Sequence, residues 1–207
     1  MKYQNYLISL TIVAIVASVF ASMFSTITSY TTPHNLNLWT SAVEVEVIRP
    51  NGLIEKQYMG PNNITNVGLN WTRDFLAYSG KSSGQATTIV LGNGSTAEDP
   101  TITTLSNQFN ASCCNLVMQA GTVTNQAATG GSQNSGNYST TYQWTVTGCS
   151  GGNIIVNTTA LYNNSAAGNS CGSGCVMFAG KNFTSPVTLQ NGDQLNITWY
   201  VWAASGG

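Results

Sequence analysis

Leu195-Asn196-Ile197-Thr198-Trp199-Tyr200-Val201-Trp202 is the stretch that decides the fold. Apolar and polar residues alternate with a period of two, the mark of a half-buried strand, and the β-branched and aromatic side chains are those strands favour. Trp199, Tyr200 and Trp202 fall on both faces, as in a central strand or one at an intersubunit contact. Core packing is the role assigned to each.

The same signature recurs upstream. Val43-Glu44-Val45-Glu46-Val47 alternates cleanly, and Asn51-Gly52 turns the chain into a second strand at Ile54–Tyr58. Short strands are predicted at Ala86–Leu91, Leu116–Val123, Tyr138–Thr147, Ile154–Leu161 and Val176–Phe183, and the strand that contains the quoted stretch spans Gln194–Trp202. Gly- and Asn-rich loops separate them at Gly92–Gly94, Thr129–Gly136, Gly148–Asn153 and Ala166–Gly174. Trp71, Phe75 and Leu76 allow one or two helical turns around Asn70–Tyr78. Many short strands with almost no helix predict an all-β fold, an immunoglobulin-like Greek-key β-sandwich over residues 41–207. Residues 22–40 contain a single Pro33 and show weak alternation at Leu36 and Leu38, which reads as an extended N-terminal tail.

Only 6% of the 207 residues are charged, and the net charge is -1. A typical soluble domain carries roughly 25% charged residues, so this surface needs another source of hydration. Asn63, Asn70, Asn93, Asn110, Asn137, Asn157, Asn163, Asn182 and Asn196 each begin an Asn-X-Ser/Thr triplet without Pro. N-glycans on about half of them would supply it, provided the chain crosses a glycosylating membrane. The carboxylate side chains are Glu44, Glu46, Glu55, Asp74, Glu98, Asp99 and Asp193. So few predict a stability that depends weakly on acid.

Lys2 followed by the uncharged run Tyr6–Met23 describes a secretory signal over residues 1–21, with Val19-Phe20-Ala21 as the cleavage site and Ser22 as first mature residue. Two readings stand beside it. A run of about 18 apolar residues is just long enough for a retained membrane anchor. A type IV pilin helix would carry a charged leader before the run, which this chain lacks. The signal reading makes the protein extracellular, with membrane contact only during export.

Cys113, Cys114, Cys149, Cys171 and Cys175 all lie in the exported part, where disulfides persist. Cys171 and Cys175 bracket a short loop and could pair, and Cys149 could pair with Cys113 or Cys114. The odd total leaves one over. No His accompanies them and the spacing fits no zinc pattern, so neither metal nor cofactor is expected. His34 stands alone after Pro33, no nucleophile is set beside a base, and Glu98-Asp99 reads as a loop tip. Asn191-Gly192-Asp193 reads as a hairpin turn. Nothing basic is clustered for nucleic acid. The residues therefore argue against an enzyme.

Thr88–Ala97, Tyr142–Thr147 and Met177–Trp199 resemble a domain of tail appendages of phages and archaeal viruses; the likeness departs at Thr158–Tyr162, where those domains carry Glu before the Leu. The secretory leader, extended tail, β-rich head, many sequons and few charges together make the whole chain resemble the subunit of archaeal threads, the surface filaments of Sulfolobus-type thermoacidophiles. That resemblance implies a pilin-like head and donor-strand complementation, in which one subunit's tail completes the next subunit's sandwich. Carried onto this chain, the donor strand lies within residues 22–40, with Ile27, Tyr30, Leu36 and Leu38 as candidate groove fillers. The implied partners are identical subunits in an adhesive, glycosylated filament. A virion or cell-surface appendage that binds a glycan through loops 129–136 and 166–174, and a membrane-anchored S-layer-like ectodomain, are the competing expectations.

Overall fold

The computed structural model describes residues 39–77, 86–95, 97–110, 114–126, 137–149, 152–163 and 175–203. All of them belong to one unit, Asn37–Gly207. In chain order the elements are β1 (Trp39–Ile48), β2 (Ile54–Asn63), α1 (Asn66–Ala77), β3 (Thr88–Gly92), β4 (Gln119–Ala120), β5 (Thr122–Gln126), β6 (Asn137–Thr145), β7 (Ile154–Tyr162), β8 (Met177–Leu189) and β9 (Gln194–Ala203).

The two most regular alternating segments, from opposite ends of the chain, are neighbours. β1 and β9 pair antiparallel from Trp39↔Ala203 to Ile48↔Gln194 without a break. Val43, Val45 and Val47 on β1, and Leu195, Ile197, Trp199 and Val201 on β9, are buried on the inner face. Each contributes roughly 1.5–3 kcal/mol by leaving water. Glu44, Glu46, Thr198 and Tyr200 lie between them on the outer face and keep partial exposure. The aromatic residues do face both ways, but core packing holds for Trp199 alone; Tyr200 and Trp202, expected there too, are only partly buried and lie outside the core, because they fall on the other face of β9.

The molecule is mostly strand, in two antiparallel sheets with one helix of 12 residues among the described residues. The five-stranded sheet runs β2-β1-β9-β6-β5 and the four-stranded sheet β4-β3-β7-β8. Their inner faces share one core, to which Ile89, Leu91, Val156 and Leu161 contribute from the second sheet. β6 pairs with β9 in one sheet and β7 with β8 in the other. A long two-stranded ribbon is thus folded over, bending where β6 passes to β7 and where β8 passes to β9. Asn191-Gly192-Asp193 is a turn, with Gly192 at φ +94, but it links strands of different sheets instead of closing a hairpin ladder. The chain also changes sheets at Gly121, between β4 and β5. A Cβ there would sit 2.3 Å from the Thr140 hydroxyl, so only glycine lets the chain cross so close to β6.

Parts of the excursion between β3 and β4, Ala97 and Leu105 among them, cover the outer face of the four-stranded sheet. Ala97, Leu105 and Met118 pack on Val90, Ala160, Tyr162 and Met177 in a second buried cluster. The Tyr162 hydroxyl accepts the Leu105 N–H at 2.7 Å and pins this excursion in place. The helix starts at Thr65, whose hydroxyl accepts the Gly68 N–H at 3.0 Å as an N-cap. Trp71 then meets Phe178 edge-on, with ring centroids 5.9 Å apart, which docks α1 on β8.

At the end of the sandwich where β1 turns into β2, Arg49 joins two turns. Its guanidinium donates to Asp193 at 2.6 Å, to the Thr188 carbonyl at 2.9 Å and to Glu55 at 2.9 Å. Asp193 also accepts the Gln190 N–H at 2.8 Å. A carboxylate this buried is tolerated because its Oδ2 is met by both a charge-assisted guanidinium donor and a backbone donor.

Candidate functional site

The surfaces that could meet another chain are the outer face and the two edges of the five-stranded sheet. Along the outer face, β2, β1, β9 and β6 align Lys56, Glu46, Asn196 and Gln143 in one row. The next row holds Tyr58, Glu44, Thr198 and Thr141. Lys56 lies 3.2 Å from Glu46 and 3.6 Å from Glu44. The Tyr200 hydroxyl donates to Glu44 at 2.9 Å, and Asn196 Nδ2 donates to Glu46 at 3.3 Å. The face is therefore a polar network whose β2 margin carries Ile54, 51% exposed, and Tyr58, 65% exposed, with Leu53, 55% exposed, in the turn before the strand.

The β2 edge is closed at one end and open at the other. Near the helix, Asn62 donates to the Gly180 carbonyl, and Ile64 bridges to Ala179 of β8. Further down, Gln57 imitates a backbone partner. Its amide donates to the Ser185 carbonyl at 3.0 Å and accepts the Ser185 N–H at 3.2 Å. From Ile54 to Lys56 no such stitch is present among the described residues. At the opposite margin β5 pairs with β6 alone among the described strands, and Val123 is 36% exposed. Edges of this kind carry unpaired backbone groups that another strand can satisfy.

Of the donor-strand residues, Ile27, Tyr30, Leu36 and Leu38 lie outside the described residues, as do the leader, His34 and the loops 129–136 and 166–174. β1 begins at Trp39, so its first two residues come from the stretch read as tail. No helix among the described residues is long and apolar enough to cross a membrane. Nor does any group of three His, Cys, Asp or Glu among them have metal-binding geometry.

Cys114 is bonded to Cys149, with Cα atoms 4.5 Å apart. Cys175 is disulfide-bonded as well. Cys113 and Cys171 lie outside the described residues.

The sequons divide by environment. Asn70 on α1, Asn93 after β3 and Asn110 are exposed. Asn163 is 2% exposed and its Oδ1 accepts the Val176 N–H at 2.7 Å. Asn182 Oδ1 accepts the Ala97 N–H at 3.1 Å. Asn157 Nδ2 donates to the Asn93 carbonyl at 3.1 Å, while its Oδ1, like that of Asn196, is buried with no hydrogen-bond partner. Asn63 and Asn137 are placed by backbone alone, at the ends of β2 and β6.

Sequence reasoning missed Leu53, Ile54, Tyr58 and Gln57 as surface features. Alternation placed Ile54 and Tyr58 on one face, but nothing local says that β2 is an edge with that face uncovered.

Three tyrosines give the head an alkaline limit. Burial holds the Tyr138 and Tyr162 hydroxyls above their ordinary value, the Leu105 N–H partly opposing it at Tyr162. Tyr200 is raised by burial and then by its bond to Glu44. A folded-state value above the unfolded one, near about 10, means the unfolded chain loses these protons first. The contribution to stability is whole below about pH 10 and is lost as pH rises beyond it. Denaturant midpoints measured across alkaline pH should hold level to about pH 10 and then fall; a level midpoint well past that would contradict the assignment.

No protein family, no curated protein and no solved structure matches this chain.

Proposed function

We propose that this chain is the structural subunit of an extracellular, N-glycosylated filament, a pilus or thread, built head to tail by donor-strand complementation for adhesion or biofilm contact. In this reading it is not an enzyme and takes no cofactor. Residues 1–21 direct export, and its partners are identical subunits. The head is read as an immunoglobulin-like Greek-key sandwich, supported by the last strand lying beside the first.

The observation that carries the reading is the β2 margin. An edge strand with Ile54 and Tyr58 more than half exposed, and Leu53 more than half exposed in the turn before it, is what a monomeric domain avoids and an assembling one needs. The opposite edge at β5 is also unpaired among the described strands. An extended segment such as residues 22–38 gains ladder hydrogen bonds and apolar burial when it adds to such an edge. Leu36→Asp or Leu38→Asp should abolish polymerisation while the head keeps its circular dichroism spectrum and its unfolding midpoint. Normal filaments from both variants would sink the placement of the donor strand.

A second reading, a surface-appendage module that binds a glycan, is favoured by Tyr58, 65% exposed on a face beside carboxylates and amides. Monomers that bind sugar and never polymerise would select it.

A further inference from the structure

We propose that the folded head admits N-glycans at Asn70, Asn93 and Asn110 and rejects them at Asn157, Asn163 and Asn196. Its sugar coat then projects from the helix and from the margin of the four-stranded sheet, and the face of the five-stranded sheet around Asn196 stays bare. The inference rests on the export reading above, because the modification needs a glycosylating membrane.

N-glycosylation joins Asn Nδ2 to the anomeric carbon of a lipid-phosphate-linked sugar. The nitrogen gives up one proton and the lipid phosphate departs. Oδ1 and one N–H remain on the side chain. Whether the sugar arrives before or after folding, the native head must leave Nδ2 facing solvent with room beyond it.

Asn70, Asn93 and Asn110 are the exposed residues among the sequon asparagines whose burial is described. Asn93 and Asn110 lie near one another, because Gly92 bridges to Gln108 and the Phe109 N–H donates to the Leu91 carbonyl at 3.0 Å. Both are therefore on the margin of β3. Asn70 is on α1, which packs against β8 of the same sheet through Trp71 and Phe178.

The other three sites fail for stated reasons. Asn163 is 2% exposed. Its Oδ1 takes the Val176 N–H at 2.7 Å while its own N–H donates to the Val176 carbonyl at 3.1 Å. A sugar there would displace the paired strand ends of β7 and β8. Asn196 sits on the central strand β9, between Glu46 on β1 and Gln143 on β6. Its Nδ2 is spent on Glu46 and its Oδ1 is buried, so a sugar would lie on the network that joins these strands. Asn157 has the same pattern, with Nδ2 on the Asn93 carbonyl and Oδ1 buried.

The test is glycopeptide mapping and intact mass of the full-length protein recovered from outside the cells, with N70Q, N93Q, N110Q and N196Q made singly. Each of the first three should lose the mass of one glycan, and N196Q should lose none. Glycan on Asn157, Asn163 or Asn196 would overturn the inference, as would an exported protein bare at Asn70, Asn93 and Asn110. The export reading survives both of those results. A bare chain found only inside the cells removes the export reading, and the inference falls with it.

Discussion

Trp199→Ala will destabilise the head by about 3–5 kcal/mol, the usual range for deleting a fully buried tryptophan. Trp199 has no solvent exposure and lies at the middle of β9, opposite Val43 on β1 and Thr140 on β6. Its indole N–H donates to the Thr159 hydroxyl of the facing sheet at 3.3 Å. The substitution therefore opens a cavity between the two sheets and removes a polar contact across them. Small domains have about 5–15 kcal/mol in total, so this variant should be largely unfolded at moderate denaturant. Tyr200→Phe, one residue on, removes only a half-exposed hydroxyl bond to Glu44, an effect of about 1 kcal/mol. Equal losses from the two variants in urea melts would contradict the inward and outward assignment on β9.

C114S/C149S will lower stability by about 4 kcal/mol, from the entropy regained by the unfolded chain when a loop of this size is released. The bond closes a separation of 35 residues, a span that contains β4, β5 and β6. This part of the chain changes sheets at Gly121 beside β4, which is only 2 residues long. A loss under about 1 kcal/mol would mean that the unfolded chain retains this loop by other means.

The strands were legible in the sequence because alternation survives wherever one face is buried. β6, β7 and β9 fall close to their predicted spans, β1 extends to both sides of the predicted Val43–Val47, and the helix appears where Trp71 suggested it. The errors share a physical cause, which is that strand ends and sheet membership are set by partners far along the chain. The predicted strand ends at Phe183, yet β8 continues to Leu189. Pro186 is accommodated where β8 bulges between its Val156↔Val187 and Thr158↔Asn182 pairings, at the edge of its sheet. Leu116–Val123 was read as one strand, whereas Gly121 divides it between two sheets. The alternatives for Cys149 resolve to Cys114 because only a three-dimensional neighbour relation separates it from Cys113. At the surface, the exposure of Asn70, Asn93 and Asn110 and the burial of Asn163 are likewise invisible in triplets of identical form.

The central claim, an exported subunit that polymerises through its tail, is met most directly by one sample of the native protein taken from the cell surface. Intact mass with N-terminal sequencing, and negative-stain imaging of the same material, should show a start near Ser22, excess glycan mass and filaments. A retained apolar segment, with no filaments in the field, would contradict it.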